Sequence, residues 1–225
     1  MSKLFIVGCV LLAVVMAEVI SLLQLRASLQ SNALYWRERS TQSGELTYLA
    51  LGDSAAQGIG ASNPSKGYVG VIAERLARKT GKTVRVVNIS VSGAKIQDVL
   101  DKQIPQVKNY HADYVTLEVG ANDVVNFDAT KFKAAYAQLI PLLPSNTVLS
   151  NMPNFGGRIS RVNAVLSANK IIAEAAATRN FSVADLYHAT KDHESPLNYA
   201  ADFFHPSNRG YRNWADAFWK VIDRL

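Results

Sequence analysis

Residues 46–60 read Leu-Thr-Tyr-Leu-Ala-Leu-Gly-Asp-Ser-Ala-Ala-Gln-Gly-Ile-Gly, and this stretch decides the fold. An apolar run ends abruptly at Gly52, Asp53 and Ser54, which predicts a buried strand followed by a tight loop. Open α/β sheets keep their functional groups at the carboxyl ends of such strands. We therefore interpret Ser54 as a nucleophile. A plain turn is the alternative, because Gly, Asp and Ser all favour turns.

Strand-like and helix-like segments alternate over the rest of the chain. The predicted strands are residues 46–51, 84–89, 114–119, 147–152 and 181–186. Between them, Gly81 and Pro105 are expected to end two helices, and Asp128 is expected to cap a third. This alternation predicts an α/β fold in which a parallel sheet lies between two layers of helices.

The loops that follow the predicted strands bring polar residues to one edge of the sheet. Gly93 follows the second strand, Asn122 follows the third, and Asp202 and His205 precede the last helical pattern. A serine hydroxyl needs a base to take its proton, and imidazole exchanges protons near neutral pH. An aspartate three residues before the histidine can orient the ring. We therefore predict Ser54, Asp202 and His205 as catalytic residues.

A tetrahedral intermediate also needs hydrogen-bond donors for its oxyanion. The backbone N–H groups of Ser54 and Gly93 and the side-chain amide of Asn122 are the predicted donors. Each feature has a simpler structural explanation: Asn122 suits an Asx turn, Gly93 suits a helix start, and Asp202 suits a solvated loop. The prediction depends on finding all of them in the right order along the chain.

Taken together, these motifs resemble the SGNH hydrolases, also called GDSL esterases/lipases. The resemblance is carried by Gly-Asp-Ser at Ser54, by Gly93, by Gly-x-Asn-Asp at Asn122, and by Asp-x-x-His-Pro at Asp202 and His205. It extends from residue 46 to residue 225. Alanine follows the Gly-Asp-Ser motif where the family name has leucine. Residues 151–160 carry no readable signature and are expected to border the substrate pocket.

The resemblance implies a flavodoxin-like three-layer α/β/α sandwich with a five-stranded parallel sheet. It also implies hydrolysis of carboxylic esters through an acyl-serine intermediate, without a metal or an organic cofactor. In this family pattern Ser54 attacks, His205 moves the proton and Asp202 orients the ring. Ser54, Gly93 and Asn122 then form the oxyanion hole.

Residues 4–25 form the second informative stretch, because they are almost entirely apolar apart from Glu18. As a helix, 22 residues span about 33 Å, which matches the hydrocarbon thickness of a bilayer. Lys3 and Arg26 flank this stretch with positive charge on both sides, so the orientation in the membrane is undetermined. We favour a retained anchor, and a cleaved signal peptide with its apolar region at residues 4–17 is the alternative.

The chain is therefore divided into an N-terminal membrane anchor or signal segment at residues 1–25, a linker at 26–45 and a hydrolase domain at 46–225. Its 225 residues, with 48% hydrophobic and 19% charged residues, suit one globular domain with an appendage. The net charge of +6 is scattered, so nucleic acid is not an expected partner. Cys9 is the only cysteine, and the four histidines lack metal-binding spacing, so no metal site is expected.

The leading hypothesis is a serine esterase held in the membrane by its first helix, with its catalytic domain outside the cytoplasm. The domain would be secreted if residues 4–25 were cleaved. Small-molecule, lipid or acylated-glycan esters are all possible substrates. The alternatives are an O-acetyl esterase acting on cell-envelope glycans, or a non-catalytic surface-binding module that keeps the fold.

Overall fold

The computed structural model of the chain describes residues 3–155 and 162–225. Its α-helices are α1 (Lys3–Ser40), α2 (Tyr68–Thr80), α3 (Ile96–Asp98), α4 (Ile104–Val107), α5 (Ala121–Val124), α6 (Ala129–Leu139), α7 (Val162–Ala177), α8 (Leu186–Lys191) and α9 (Asn208–Ile222). Its strands are β1 (Leu46–Gly52), β2 (Val84–Asn88), β3 (Tyr114–Glu118), β4 (Thr147–Ser150) and β5 (Val183–Ala184). Short 3-10 helices occupy Pro64–Lys66, Ile140–Leu142 and Pro196–Asn198.

The five strands form one parallel sheet in the order β2-β1-β3-β4-β5. This is the strand order of flavodoxin-like folds, so the predicted fold class is confirmed. In the register, Leu49 lies between Val87 of β2 and Val115 of β3. The last two strands are shorter than predicted, because β5 pairs with β4 through only two residue pairs at the edge of the sheet.

Helices cover both faces of the sheet, because successive side chains of each strand point to opposite faces. In β1, Leu49 and Leu51 belong to one buried core, whereas Tyr48 and Ala50 belong to the other. The first core is completed by α6 and α7, and the second by α2 and α9. The sheet is therefore the middle layer of three.

The predicted helix boundaries hold at Gly81 and Asp128 but not at Pro105. Gly81 ends α2 in the left-handed conformation, and the Asp128 carboxylate caps α6. By contrast, the helical segment that begins at α3 continues through Pro105, because a π-helix at Val99–Gln103 connects α3 to α4. Pro105 then falls in the first turn of α4, where its missing N–H is tolerated.

Helix α1 is continuous over 38 residues, or about 57 Å, and crosses both the predicted anchor and most of the predicted linker. Among the described helices it is the one long and apolar enough to cross a membrane, and a signal sequence would meet the same criterion. The helical conformation persists as far as Ser40, because the second half of α1 has a tertiary partner. The functional division at residues 25 and 45 stays a prediction.

The partner of α1 is the domain itself, through Asn32 and Trp36. Both side chains are buried, and both donate hydrogen bonds to the backbone carbonyl of Gln57, at 3.1 Å and 3.0 Å respectively. Near the end of the helix, the Arg85 guanidinium donates to the carbonyl of Ser40 at 2.9 Å. The part of the predicted linker from residue 32 to residue 40 is therefore a helix docked on the domain.

This docking predicts unequal effects for two substitutions on α1. Trp36→Ala should lower the free energy of unfolding by about 3–5 kcal/mol, because it removes a buried ring and one donor to Gln57. Leu34→Ala, at an exposed position of the same helix, should change it by less than about 0.5 kcal/mol. Urea denaturation of the detergent-solubilised chain measures both. Equal losses of stability would contradict the docked position of α1.

Candidate active site

Ser54, His205 and Asp202 lie in one hydrogen-bonded line at the carboxyl edge of the sheet. The Oγ of Ser54 is 2.8 Å from Nε2 of His205, and Nδ1 of the same ring is 2.6 Å from Oδ2 of Asp202. Ser54 directly follows Asp53 at the end of β1, whereas the other two residues lie 148 and 151 positions later, before α9. The structure therefore brings together the three residues predicted as catalytic.

The Asp202 carboxylate is held by its own loop. Its Oδ1 accepts hydrogen bonds from the backbone N–H groups of Phe204 and His205, both at 3.0 Å. Burial alone would raise the pKa of Asp202. The hydrogen bond and charge of His205, together with those two backbone donors, outweigh burial and hold the pKa below its usual value. Asp202 is therefore a carboxylate that can stabilise a positive charge on the ring.

A second Asp-x-x-His pair occurs in the chain, at Asp185 and His188. Its geometry is nearly the same, with 2.6 Å between Nδ1 of His188 and Oδ2 of Asp185. The two histidines differ in exposure, since the His188 side chain is 63% exposed and the His205 side chain is 15% exposed. Ser54 forms its hydrogen bond with His205, so the position in the tertiary structure, and not the local motif, distinguishes the two pairs.

Asn122 and Gly93, the other predicted members, lie beside the serine. The Nδ2 of Asn122 donates to the carbonyl of Ala94 at 3.0 Å and to Oδ2 of Asp53 at 3.3 Å. The amide therefore connects the residue before Ser54 to the residue after Gly93. Gly93 has a φ of 81°, and a Cβ built on it would meet nothing within 4 Å. The positive φ favours glycine at position 93, and the space that a side chain would occupy there is open.

The end of β1 is fixed by a residue that the sequence analysis did not identify, Gln103. Its side chain is fully buried, its Nε2 donates to the carbonyl of Gly52 at 2.8 Å, and its Oε1 accepts from the N–H of Gly52 at 2.9 Å. Gln103 ends the π-helix described above, which directs its side chain inward. The amide thus fixes the backbone two residues before Ser54.

Gln57 is a second support that the sequence analysis missed. Its Nε2 donates to the carbonyl of Ser90 at 2.8 Å, and its Oε1 accepts from the hydroxyl of Ser92 at 2.6 Å. One side chain therefore joins the loop after β1 to the loop that carries Gly93. Because the backbone carbonyl of Gln57 also holds α1, this helix and the predicted oxyanion loop share one residue.

Asp53 and Glu118 form a buried pair of carboxyl groups next to Ser54. Both side chains are buried, and no N–H group of the described residues satisfies the Glu118 oxygens. Burial first, and then the Asp53 carboxylate, raises the pKa of Glu118 well above its usual range, which favours the protonated form of Glu118. Burial likewise raises the pKa of Asp53 to about 6, although the N–H of Ala55 opposes this shift. The buried pair has a signal in the sequence, because Glu118 is an acidic residue within an otherwise apolar predicted strand.

Residues 153–155, part of the segment predicted to border the substrate pocket, lie beside the histidine loop. Phe155 stacks on Phe204 with ring centroids 5.6 Å apart, and the Phe204 ring packs edge-on against His205. Residues 156–160 of that predicted segment lie outside the described residues. Within residues 3–155 and 162–225, no three His, Cys, Asp or Glu side chains are grouped to hold a metal ion.

Comparison with known proteins identifies a family that matches this chain. The profile described as the GDSL-like Lipase/Acylhydrolase family matches residues 50–212, which include all five predicted site residues. A curated relative, the uncharacterized protein YpmR of Bacillus subtilis strain 168, is 39% identical over 82 residues. That match covers 34% of this chain and 31% of the relative, so it spans about a third of either protein.

Solved structures share the fold at lower identity. A lipase/acylhydrolase from Enterococcus faecalis is 22% identical with a TM-score of 0.65, and the match covers 80% of this chain and 96% of that one. Axe2, an acetylxylan esterase from Geobacillus stearothermophilus, is also 22% identical with a TM-score of 0.65, over 80% of this chain and 95% of that one. At these identities the likeness establishes the three-layer fold.

The buried carboxyl pair predicts how stability depends on pH. The pKa values of Asp53 and Glu118 are both raised on folding, so the stability they contribute is full below about pH 4 and declines as pH rises through about 6 and beyond. Glu118→Gln removes one of the two titrating carboxyl groups and keeps a neutral side chain of nearly the same size. The variant should therefore lose less stability with pH, by up to about 1.4 kcal/mol per pH unit.

Urea denaturation between about pH 5 and about pH 8 measures this difference. Glu118→Ala is the comparison, because it removes the same titrating group but also opens a cavity, so it should be less stable than Glu118→Gln at every pH. A Glu118→Gln curve that runs parallel to the wild-type curve would show that Glu118 does not hold the proton.

Proposed function

The chain belongs to the GDSL-like lipase/acylhydrolase family, a family of carboxylic ester hydrolases, and we propose that it cleaves esters with Ser54 as the nucleophile. The observation that carries this proposal is the line of contacts from Ser54 through His205 to Asp202. A serine bonded to the free nitrogen of a carboxylate-bound imidazole is the arrangement that acyl transfer requires.

In the first step, Oγ of Ser54 attacks the ester carbonyl carbon while Nε2 of His205 takes the hydroxyl proton. The 2.8 Å contact between these two atoms suits direct proton transfer. The ring becomes positively charged, and the Asp202 carboxylate at 2.6 Å stabilises that charge and holds the ring orientation. Collapse of the tetrahedral intermediate breaks the bond to the alcohol oxygen, which leaves with the proton from Nε2.

The negative charge of the intermediate falls on the former carbonyl oxygen. Its proposed donors are the backbone N–H groups of Ser54 and Gly93 and the Nδ2 of Asn122. The bond from Asn122 to Ala94 fixes the amide plane, and the longer contact with Asp53 at 3.3 Å is the one that yields to the oxyanion. One such donor typically contributes about 3 kcal/mol to barrier lowering.

In the second step, water replaces the alcohol. His205 takes a proton from the water, whose oxygen attacks the acyl carbon of the ester on Ser54. The second tetrahedral intermediate uses the same three donors and collapses by breaking the bond to Oγ. The proton on Nε2 returns to Ser54, which releases the carboxylic acid and restores the resting enzyme.

Two features guide the choice of substrate and location. Helix α1 is long and apolar enough to cross a membrane, which supports a membrane-anchored enzyme, and cleavage of a signal segment would release the same domain. The proposed location of that domain is outside the cytoplasm. The similarity in fold to an acetylxylan esterase supports a second candidate function, the removal of acetyl groups from envelope glycans. A non-catalytic binding module on this fold would keep the fold but would not turn over esters.

A series of p-nitrophenyl esters from acetyl to palmitoyl tests the reaction and its acyl preference together. Ser54→Ala should reduce kcat by about 10⁴-fold or more while leaving the unfolding transition in place. A peak at acetyl favours glycan deacetylation, and a peak at longer chains favours lipid esters. Turnover that persists in Ser54→Ala would exclude Ser54 as the nucleophile.

The duplicated Asp-x-x-His motif gives a matched control for the histidine. Asp202→Asn should reduce kcat by about 10⁴-fold, because an amide favours the wrong protonation state of the ring. Asp185→Asn makes the same chemical change in a pair of nearly identical geometry and should leave kcat unchanged. Steady-state kinetics on p-nitrophenyl acetate compares them. Similar losses in both variants would mean that the Asp202 effect is structural.

A further inference from the structure

The direction of α1 relative to the sheet is fixed by its contacts. Asn32 and Trp36 meet the carbonyl of Gln57, which follows the carboxyl end of β1. Ser40 meets Arg85, near the start of β2, and the chain enters β1 six residues after Ser40. Helix α1 thus runs antiparallel to the strands, and its residues before Asn32 project beyond the carboxyl edge, where Ser54 lies.

The apolar part of α1 begins close to that edge. Leu25, the last residue of the apolar stretch, precedes Asn32 by seven residues, or about 10 Å along the helix. A groove of about 1080 Å³ separates α1 from the domain, and it is lined by Ser21 and Leu25 on one side and by Ser62 and Arg209 on the other. The loops around the candidate site therefore reach the level at which the apolar stretch ends.

The same edge carries most of the exposed apolar side chains of the domain. Outside α1, the described residues with large exposed apolar side chains are Val91, Val125, Leu142, Val162, Leu166, Leu197, Phe203 and Leu225. All except Leu142 and Leu225 lie in loops or helix starts that follow the carboxyl ends of strands or precede α9. Exposed apolar groups gathered on one side of a domain are typical of a surface that meets a partner or a membrane.

We infer that the catalytic edge rests on the bilayer that holds α1, and that the substrate is an ester carried by a lipid of that bilayer. The inference rests on the proposed esterase activity and on a retained anchor. Because hydrogen bonds fix α1 to Gln57, the domain cannot turn its candidate site away from the membrane without breaking them. Leu197 and Phe203 then enter the interfacial region beside His205.

This placement favours lipid esters over acylated glycans as the substrate. The headgroup region on each side of a bilayer is several ångströms thick, so an ester linkage at the surface lies within reach of an edge about 10 Å from the apolar core. An extended glycan on the far side of the domain would meet the opposite edge of the sheet. Lipid-borne esters therefore have the shorter path to Ser54.

Leu197 and Leu225 provide a matched pair for testing the placement, since they are 68% and 67% exposed and lie at opposite edges of the sheet. In the full chain carrying Cys9→Ser, Leu197→Cys or Leu225→Cys is labelled with nitrobenzoxadiazole. The protein is reconstituted in vesicles of phosphatidylglycerol and phosphatidylethanolamine that contain a spin-labelled lipid. The label at position 197 should be quenched severalfold more strongly than the label at 225. Equal quenching, or stronger quenching at 225, would overturn the placement.

A second readout tests the substrate. Leu197→Ser should lower hydrolysis of a fatty-acyl ester embedded in the vesicles severalfold and leave hydrolysis of soluble p-nitrophenyl acetate unchanged, whereas Leu225→Ser should change neither rate. An unchanged vesicle rate in Leu197→Ser would overturn the lipid substrate. If the label at position 197 is quenched more strongly but no ester is hydrolysed, the placement is supported and the proposed function is refuted. If esters are hydrolysed but both labels are quenched equally, the proposed function is supported and the placement is refuted.

Discussion

The position of Ser54 depends on the amide of Gln103, which bonds to both backbone polar groups of Gly52 inside the protein. Leaving the buried N–H of Gly52 without a partner would be costly, so this contact stabilises the end of β1. The chain must then turn, and the turn directs Asp53 inward against Glu118 and Ser54 outward toward His205. The position of Ser54 beside His205 is thus supported by a buried amide that contacts the backbone two residues earlier.

Much of this could be predicted from sequence, because the signals are local. Periodic apolar runs predicted the strand–helix alternation of an α/β sandwich, and the Gly-Asp-Ser and Asp-x-x-His motifs predicted three residues that the structure brings into hydrogen-bond contact. The supports were missed because their partners are distant in the chain: Gln103 lies 51 residues from Gly52, and Trp36 lies 21 residues from Gln57. The local sequence pattern also could not tell which of the two Asp-x-x-His pairs is close to Ser54. The tertiary structure places His205, and not His188, in contact with Ser54.

The docking of α1 and the candidate site are not independent parts of this molecule. The carbonyl of Gln57 holds α1, while the side chain of the same residue holds the loop before Gly93. A helix on a flexible linker would only keep the domain near a membrane, whereas a docked helix also sets which edge faces it. The exposed apolar side chains at that edge support the proposed orientation of the candidate site toward a membrane.

The most direct test of the central claim, that Ser54 is the nucleophile, is covalent labelling of the full chain by a fluorophosphonate, with the modified residue located by mass spectrometry. We expect one adduct per chain, on Ser54, formed much more slowly in the Asp202→Asn variant because His205 no longer takes the hydroxyl proton efficiently. A folded sample that remains unlabelled, or an adduct on a different serine, would contradict it.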